Sequence, residues 1–394
     1  MIVLRSNSII LHGTGMIGEK FYTKYHDRYE IKYCIDSRDR NDFHGLKVVK
    51  PDEVSKEFLG GLTIVITVHQ NAYPEIKNYY ERNGLIEFEN FIYWGDLNKK
   101  LAIFYGNCHF IVLNKYFMQI PDFTRTYTVR SYWVYGYGVE KDGISSIEKN
   151  HCDLLITQDI REDNSTEVIS AGKLISQMPM SCRVVVIPNL YSFNLFFPQV
   201  EKVRDYSKRH MKNIEIDNPK RSYELKWESG FTECNDIYIQ KIIEGNSTEE
   251  EVLSKMYDVD LISHSRIQQC FREGIEKIKK REQQCDIKIS DFILENYKNK
   301  QLFYDPQHPT EVVICEIGKR VLRCLGINDI PEVYVEPTLN DTELFIYECV
   351  RQALGLNYIQ KYIRVGKLHA TLTSSGGVTR EEYIDDVVRW SSEG

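Results

Sequence analysis

Leu101-Ala-Ile-Phe-Tyr-Gly106-Asn107-Cys108-His109 reads as a buried apolar strand that breaks at a glycine and delivers a thiol where a helix begins. Far downstream, Tyr304-Asp305-Pro-Gln-His308-Pro-Thr310 sets a carboxylate and an imidazole three residues apart at the mouth of another helix. A nucleophile needs a base, and the base needs an orienting group. Cys108, His308 and Asp305 supply the three. The competing reading makes Cys108 one of ten ordinary cysteines and His308 a helix-capping residue.

Outward from the first stretch, Asp153-Leu-Leu-Ile-Thr157 and Arg183-Val-Val-Val-Ile-Pro188 are further short apolar strands followed by polar residues. That pattern gathers loops at the C-terminal strand ends, as in a parallel α/β sheet. Beyond about residue 235 the pattern turns helical. Ser247-Thr-Glu-Glu250 is a capping box. Residues 263–284 form a charged amphipathic segment, and Ser290 and Thr310 open two more helices. Residues 335–394 read as a helical C-terminal extension with a Gly/Ser-rich interruption at 373–377.

Upstream, residues 1–97 read as a Rossmann-like half-unit, and 95–100 as the linker to a second unit spanning 101–330. Ser8-Ile-Ile-Leu-His12 is a strand, and Thr63-Ile-Val-Ile-Thr-Val68 is an uninterrupted apolar run suited to a strand covered on both faces. With three or four strands, the unit amounts to half of a dinucleotide fold. Gly13-Thr-Gly15-Met-Ile-Gly18 follows the first strand and opens a helix, and Asp36 ends the next strand. This is the context of a nucleotide fingerprint: the glycines permit a tight turn and close approach of a phosphate to helix N-terminal amides, and the acid can accept ribose hydroxyls. The alternative is that Gly13, Gly15 and Gly18 only allow a helix to pack closely on its strand.

The chain has 394 residues, enough for two or three domains, with 42% hydrophobic and 27% charged residues. A net charge of -7 argues against coating nucleic acid. No apolar run is long enough for a membrane span, and the N-terminus lacks a signal-peptide pattern. The cysteines include no C-x-x-C pair, so no metal site is expected and reduced cytoplasmic thiols are. Whether copies associate as a homo-oligomer stays open.

Gly106-Asn107-Cys108 stands where SGNH-type hydrolases and acyltransferases carry Gly-Asp-Ser, and Asp305-Pro-Gln-His308 has their Asp-x-x-His spacing. A helix N-terminus near Cys108 favours thiolate. Asn107 or Gln158 can donate to a developing oxyanion, beside the backbone of Gly106. Residues 102–330 resemble, more narrowly, the WcbI family of bacterial capsular-polysaccharide acetyltransferases. The resemblance rests on Tyr105-Gly-Asn-Cys108, Leu155-Ile-Thr-Gln158, Val186-Ile-Pro-Asn-Leu-Tyr191, Asn235-Asp-Ile-Tyr238, Gly245-Asn-Ser-Thr-Glu-Glu250, Ile289-Ser-Asp-Phe-Ile-Leu-Glu-Asn296 and the block from Phe303 to Thr310, in that order. It implies acyl transfer from coenzyme A to a sugar hydroxyl. Family members usually continue Gly-Asn-Cys with Gln, whereas His109 stands here, either as an extra base or as a packed neighbour. The first unit resembles the small nucleotide-binding-like domains in front of bacterial sugar acyltransferases, and Gly45-Leu-Lys-Val48 matches their Gly-x-x-Val element.

Coenzyme A needs cations for its phosphates. Arg125 and Arg130, set among aromatic residues, are candidates, although the alternation around them also reads as a strand with one wet face. The expectation is therefore a cytoplasmic, acetyl-CoA-dependent O-acetyltransferase acting on a sugar of a surface polysaccharide or its precursor. A nucleotide or nucleotide-sugar is expected on the first unit. The rivals are an SGNH-like esterase using water as acceptor and a non-catalytic nucleotide-sugar-binding scaffold.

Overall fold

The computed structural model describes residues 2, 4, 6–54, 59, 61–134, 143–161, 169–191, 195–202, 234–236, 257–340, 343–358, 360, 362–365 and 368–371. The capping box at 247–250 and the Gly/Ser-rich stretch at 373–377 lie outside them.

The chain opens with β1 (Ser8–His12), α1 (Met16–Tyr25), β2 (Glu30–Ile35), β3 (Asp42–Phe43), β4 (Leu46–Val49), β5 (Thr63–Ile66), α2 (Tyr73–Arg82) and β6 (Phe91–Tyr93). They form one sheet in the order β3-β4-β2-β1-β5-β6, parallel except for the β3–β4 hairpin. Six strands exceed the three or four expected from the sequence. The extra edge exists because His44 and Gly45 both take positive φ, 54° and 79°, and so close a two-residue hairpin turn. The strand order reverses direction between β1 and β5, which opens a crevice at their C-terminal ends. Gly13 turns the chain there at φ 105°. A Cβ on Gly18 would meet the Gly13 carbonyl oxygen at 2.1 Å, so the helix approaches its strand as closely as glycine permits.

The second unit runs β7 (Lys100–Gly106), α3 (His109–Phe117), α4 (Pro121–Thr126), β8 (Tyr127–Trp133), α5 (Ser146–His151), β9 (Cys152–Gln158), α6 (Ala171–Ile175) and β10 (Arg183–Ile187). Its sheet is all parallel, in the order β10-β9-β7-β8. Leu101, Ala102, Ile103 and Phe104 are fully buried, because helices cover both faces. The order reverses again, here between β7 and β9.

Further along lie β11 (Val200–Lys202) and β12 (Cys234–Asp236), then α7 (His264–Glu282), α8 (Ser290–Asn296), α9 (Glu311–Cys324), α10 (Glu348–Leu354) and the hairpin of β13 (Tyr362–Val365) and β14 (Leu368–Thr371). Along α7, Ile267, Phe271, Ile275 and Ile278 recur at helical spacing and are buried, while Lys277, Lys279 and Lys280 face solvent. Val335, Leu339, Phe345, Ile346, Tyr347 and Val350 join the same core as Phe104, Tyr116 and Ile317. The described part of 335–394 thus packs onto the second unit and holds one helix and a hairpin. Gly318 lets α9 press against α3, since a Cβ there would meet Tyr116 Cδ1 at 2.6 Å.

The two α/β units are joined by a buried ionic cluster. Arg130 Nη2 on β8 donates to Glu87 Oε1 at 2.7 Å and Asp96 Oδ2 at 3.1 Å, and Lys77 adds a 2.8 Å bond to Glu87. Burial works against the Glu87 charge, but Arg130 and Lys77 prevail and hold its pKa below the usual carboxylate value.

Candidate active site

The sheet reversal between β7 and β9 places the chain after Gly106 beside Gln158, at the kind of strand-end crevice where open α/β sheets bind ligands. Gly106 is required there: a Cβ would lie 2.1 Å from Phe110 Cε2 and 2.8 Å from Gln158 Oε1. The Asn107 N–H donates to Gln158 Oε1 at 2.8 Å, and Asn107 Oδ1 accepts the His109 N–H at 3.0 Å, satisfying one open amide of α3. Cys108 is the N-cap of α3, and its half-buried thiol rests against the core.

The loop before α9 supplies the partners. Asp305, 3% exposed, accepts the N–H groups of Gln307 and His308 on Oδ1 at 2.6 and 2.9 Å. Its Oδ2 lies 2.7 Å from His308 Nδ1. This fixes Nδ1 as the protonated nitrogen and leaves Nε2 outside the Asp305 bond, with the Cys108 side chain near enough to raise the His308 pKa. Burial alone would lower the His308 pKa. The Asp305 charge and hydrogen bond, with Cys108 adding to them, raise it well above 6.5. Cys108, His308 and Asp305 therefore form one contiguous relay.

His109 is engaged on both ring nitrogens. Gln158 Nε2 donates to His109 Nδ1 at 3.1 Å, because Gln158 Oε1 is already taken by Asn107. His109 must then carry its proton on Nε2, which donates to the Gln307 carbonyl at 2.8 Å. Burial drives its pKa down to about 4, so the ring is neutral at ordinary pH. Gln158 is 1% exposed, with its carboxamide oxygen bonded to Asn107 and its nitrogen to His109. Asn107 Nδ2 has only a 3.5 Å contact to Asn189 Oδ1 and remains available.

Other expected residues fall elsewhere. Arg125 is exposed and paired with Asp122. Arg130 sits in the interunit cluster, occupied by two carboxylates. Gly13, Gly15 and Gly18 line the first unit's crevice with Asp36, which is saturated by the loop itself. Asp36 accepts from the Thr14 N–H and Oγ1 at 2.8 and 2.6 Å and from the Arg38 N–H, Nε and Nη2 at 2.9, 3.1 and 2.9 Å. Burial opposes its charge, but these bonds hold its pKa far below the usual value. No lone pair is left for a ribose. The sequence reading missed Gln307, whose carbonyl joins the two loops and whose Nε2 reaches the Tyr191 hydroxyl at 3.3 Å; its position inside Asp-x-x-His was the available signal. It also missed Arg281, which donates to the Asn189 and Tyr191 carbonyls beside the site.

Among the described residues no helix is long and apolar enough to cross a membrane, and nine of the cysteines, Cys108 among them, are free thiols. The family model described as polysaccharide biosynthesis enzyme WcbI matches residues 101–330. A solved structure of WcbI, described as a novel polysaccharide biosynthesis enzyme in its native form without a disulfide bond between coenzyme A and a cysteine, superposes with a TM-score of 0.56. It is 19% identical, and the match covers 75% of this chain and 91% of that one. No curated protein matches the chain.

Proposed function

The chain belongs to the WcbI family of polysaccharide biosynthesis enzymes, and we propose that it is a coenzyme A-dependent O-acetyltransferase acting on a sugar of a capsular or other surface polysaccharide, or on its nucleotide-linked precursor. The observation that carries this reading is the Cys108–His308–Asp305 relay at the sheet's reversal point. His308 takes the thiol proton as Cys108 attacks the acetyl carbon, and the new C–S bond forms while the bond to the coenzyme A sulfur breaks. His308 returns the proton to that departing thiolate. The sugar hydroxyl then gives its proton to His308 as its oxygen attacks the acetyl group, and the released Cys108 sulfur recovers the proton. Asn107 Nδ2 and the Cys108 N–H at the start of α3 donate to the oxyanion of each step in this reading. The disulfide with coenzyme A invoked for the related structure supports a donor sulfur lying beside the cysteine.

The test is coenzyme A release from acetyl-CoA by the purified chain, with and without nucleotide-sugar or oligosaccharide acceptors. Acceptor-dependent release, abolished in Cys108→Ala, is expected. Release of acetate without any acceptor would make the protein an esterase. No turnover with any acyl-CoA would make it a binding scaffold.

We propose as well that the crevice of the first unit binds a nucleotide or nucleotide-sugar. The strand reversal beside Gly13 supports this, as do Arg38, 3.4 Å from where a Gly15 Cβ would stand, and Arg40, which donates to the Thr14 carbonyl. Asp36 then holds the loop's shape, and the cations face the phosphate. Calorimetry showing no affinity for any nucleotide or nucleotide-sugar would leave the glycines a packing role alone.

A further inference from the structure

Cys152 and Cys182 meet at the N-terminal ends of β9 and β10, the end of the sheet opposite the Cys108 loop. Cys152 opens β9, and Cys182 immediately precedes β10. Leu154 pairs with Arg183, so the two cysteines stand one position out of register on neighbouring parallel strands. An offset of one residue between strands about 4.8 Å apart is within the reach of a disulfide. The sulfurs are already in contact: Cys182 Sγ lies 3.5 Å from Cys152 Sγ, across a chain separation of 30 residues. Both are free thiols, and both pack in the apolar cluster of Leu155 and Leu174.

The two thiols are not equivalent. Cys152 is 3% exposed, and its Sγ lies 3.2 Å from the Leu154 carbonyl oxygen. Cys182 is half-buried between the exposed Ser181 and Arg183, within reach of a small solute. The hydrogen bond between the thiols acts on their acidity in opposite directions. It lowers the Cys182 pKa, against the effect of burial, and together with burial it pushes the Cys152 thiol far up. An accessible thiol that ionises beside a buried one that stays protonated suits a division of labour. The first reacts with an oxidant and the second resolves the product. Cys324 is exposed nearby but does not join them. Arg183 alternates along the strand with Cys182 and Val184, which face the shared cluster, and its Nη2 reaches Cys324 Sγ at 3.8 Å. Cys324 therefore lies across the sheet from the pair.

We propose that Cys182 and Cys152 are an oxidative modification site, at which a hydroperoxide forms an intrachain disulfide that staples the edge strand β10 to β9 and a thiol reductant removes it. With hydrogen peroxide, the Cys182 sulfur attacks one oxygen and the O–O bond breaks. The departing hydroxide leaves as water with the proton of the Cys182 thiol, and Cys182 becomes a sulfenic acid. The Cys152 sulfur then attacks the Cys182 sulfur, and the S–S bond forms as the S–O bond breaks. Hydroxide leaves with the Cys152 proton as a second water. The two thiols lose two electrons, and one peroxide is reduced to two waters. The sulfurs close from 3.5 Å to about 2.05 Å. The strand ends can supply that movement because β10 pairs on one side only, in the order β10-β9-β7-β8.

The experiment treats the full chain with hydrogen peroxide, blocks the remaining thiols, digests without reductant and maps the products by mass spectrometry. The peptides holding Cys152 and Cys182 should be joined with the loss of two hydrogens, and dithiothreitol should separate them. Hydrogen exchange of the Arg183–Ile187 amides should slow about tenfold or more in the joined form. Cys182→Ser should leave Cys152 unmodified at the same peroxide dose. Cys152→Ser should leave Cys182 as a sulfenic acid that dimedone traps, and if that variant does not fold, the half-buried Cys182→Ser decides the order of attack. Irreversible oxidation of Cys182 without the join overturns the proposal. So does a disulfide between Cys182 and Cys324, or oxidation confined to Cys108 and the exposed Cys324. Modification of Cys152 that persists in Cys182→Ser overturns it too, and a joined form whose β10 amides exchange as fast as before removes the staple.

Discussion

Gln158 and His109 hold each other in one orientation: the carboxamide nitrogen of Gln158 lies 3.1 Å from His109 Nδ1 while its oxygen accepts the Asn107 N–H at 2.8 Å. From His109 the chain of bonds passes to the Gln307 carbonyl, and from Gln307 N–H to Asp305. The loop that carries the thiol and the loop that carries the imidazole are therefore tied through a buried, uncharged histidine. Two loops far apart in sequence keep their register because each polar group in that path has one partner it can accept.

His109 is then a positioning residue. His109→Phe should lower kcat by about 10- to 100-fold, because a small displacement of a catalytic loop costs that much, with KM for the donor little changed. His109→Gln, which keeps a donor and an acceptor, should recover much of the loss. Equal defects in both variants, or loss of folded protein in both by circular dichroism, would remove the positioning role.

Cys108→Ala should reduce acyl transfer by at least ~10³-fold if the thiol is acylated. Mass spectrometry after mixing with acetyl-CoA should find the acetyl group on Cys108 in wild type and nowhere in the variant. Near-normal turnover in Cys108→Ala would end the covalent mechanism. Partial activity in Cys108→Ser would mean that the residue mostly orients substrates.

His308→Ala should be nearly inactive, and Asp305→Asn should lose less, because Asp305 never takes the proton. The pair also has a stability signature. The His308 pKa is raised above 6.5 in the fold, so its contribution is fully present below pH 6.5 and is lost as pH rises through the higher folded value. Thermal melts of wild type and His308→Gln should therefore draw closer on going from pH 6 to alkaline pH. A gap that widens with pH would contradict the Asp305–His308 charge pair.

His12 and His109 predict the opposite slope in acid. Both are buried with pKa values lowered to about 4; His12 Nδ1 contacts the Tyr80 hydroxyl at 2.6 Å. Between pH 6.5 and 4 the unfolded chain binds these protons and the folded one does not, so stability falls as pH falls across that window. Each site accounts for up to about 3 kcal/mol over the full span. Denaturant titrations of His109→Gln should show roughly half of that acid dependence removed, and an unaltered slope would mean that other groups carry it.

Much of this was legible because the deciding segments are strongly patterned. Leu101 to Tyr105 is a continuous apolar run, the Gly13 to Gly18 turn follows a strand, and Asp305 and His308 fall in one short loop. The β3–β4 hairpin was not legible, since positive φ is uncommon for any residue but glycine and the strands are only two and four residues long. The fate of Arg130 and Asp36 was equally hidden. Each looked like a ligand contact, and each is filled by protein partners, Asp36 in part by its own neighbour Arg38. Asp36 is closed by Thr14 and Arg38, and Arg130 by Glu87 and Asp96, pairings that spacing alone does not disclose.

The Arg130 cluster yields the last prediction. Its guanidinium is 19% exposed and lies between Glu87, 6% exposed, and Asp96, 9% exposed, with Lys77 on the far side of Glu87. Thr128 Oγ1 adds a 2.7 Å bond to Asp96 Oδ1, so the cluster ties β8 of the second unit to the end of the first. Removing the cation leaves Glu87 with Lys77 and Tyr73 and Asp96 with the Thr128 hydroxyl, a broken buried pair that costs about 3–5 kcal/mol, whereas removing the whole group in favour of apolar residues costs far less. Arg130→Met should therefore lower the unfolding free energy by about that amount, and Arg130→Met with Glu87→Leu and Asp96→Leu should recover a good part of it. Because Arg130 pairs with Ile103 in the middle of β7, three positions short of Gly106, and bonds Glu87 and Asp96 away from the Cys108 loop, acyl transfer by the folded fraction of Arg130→Met should stay close to wild type. A specific loss of donor affinity in Arg130→Met, at unchanged stability, would instead return Arg130 to the phosphate-binding role that the sequence suggested.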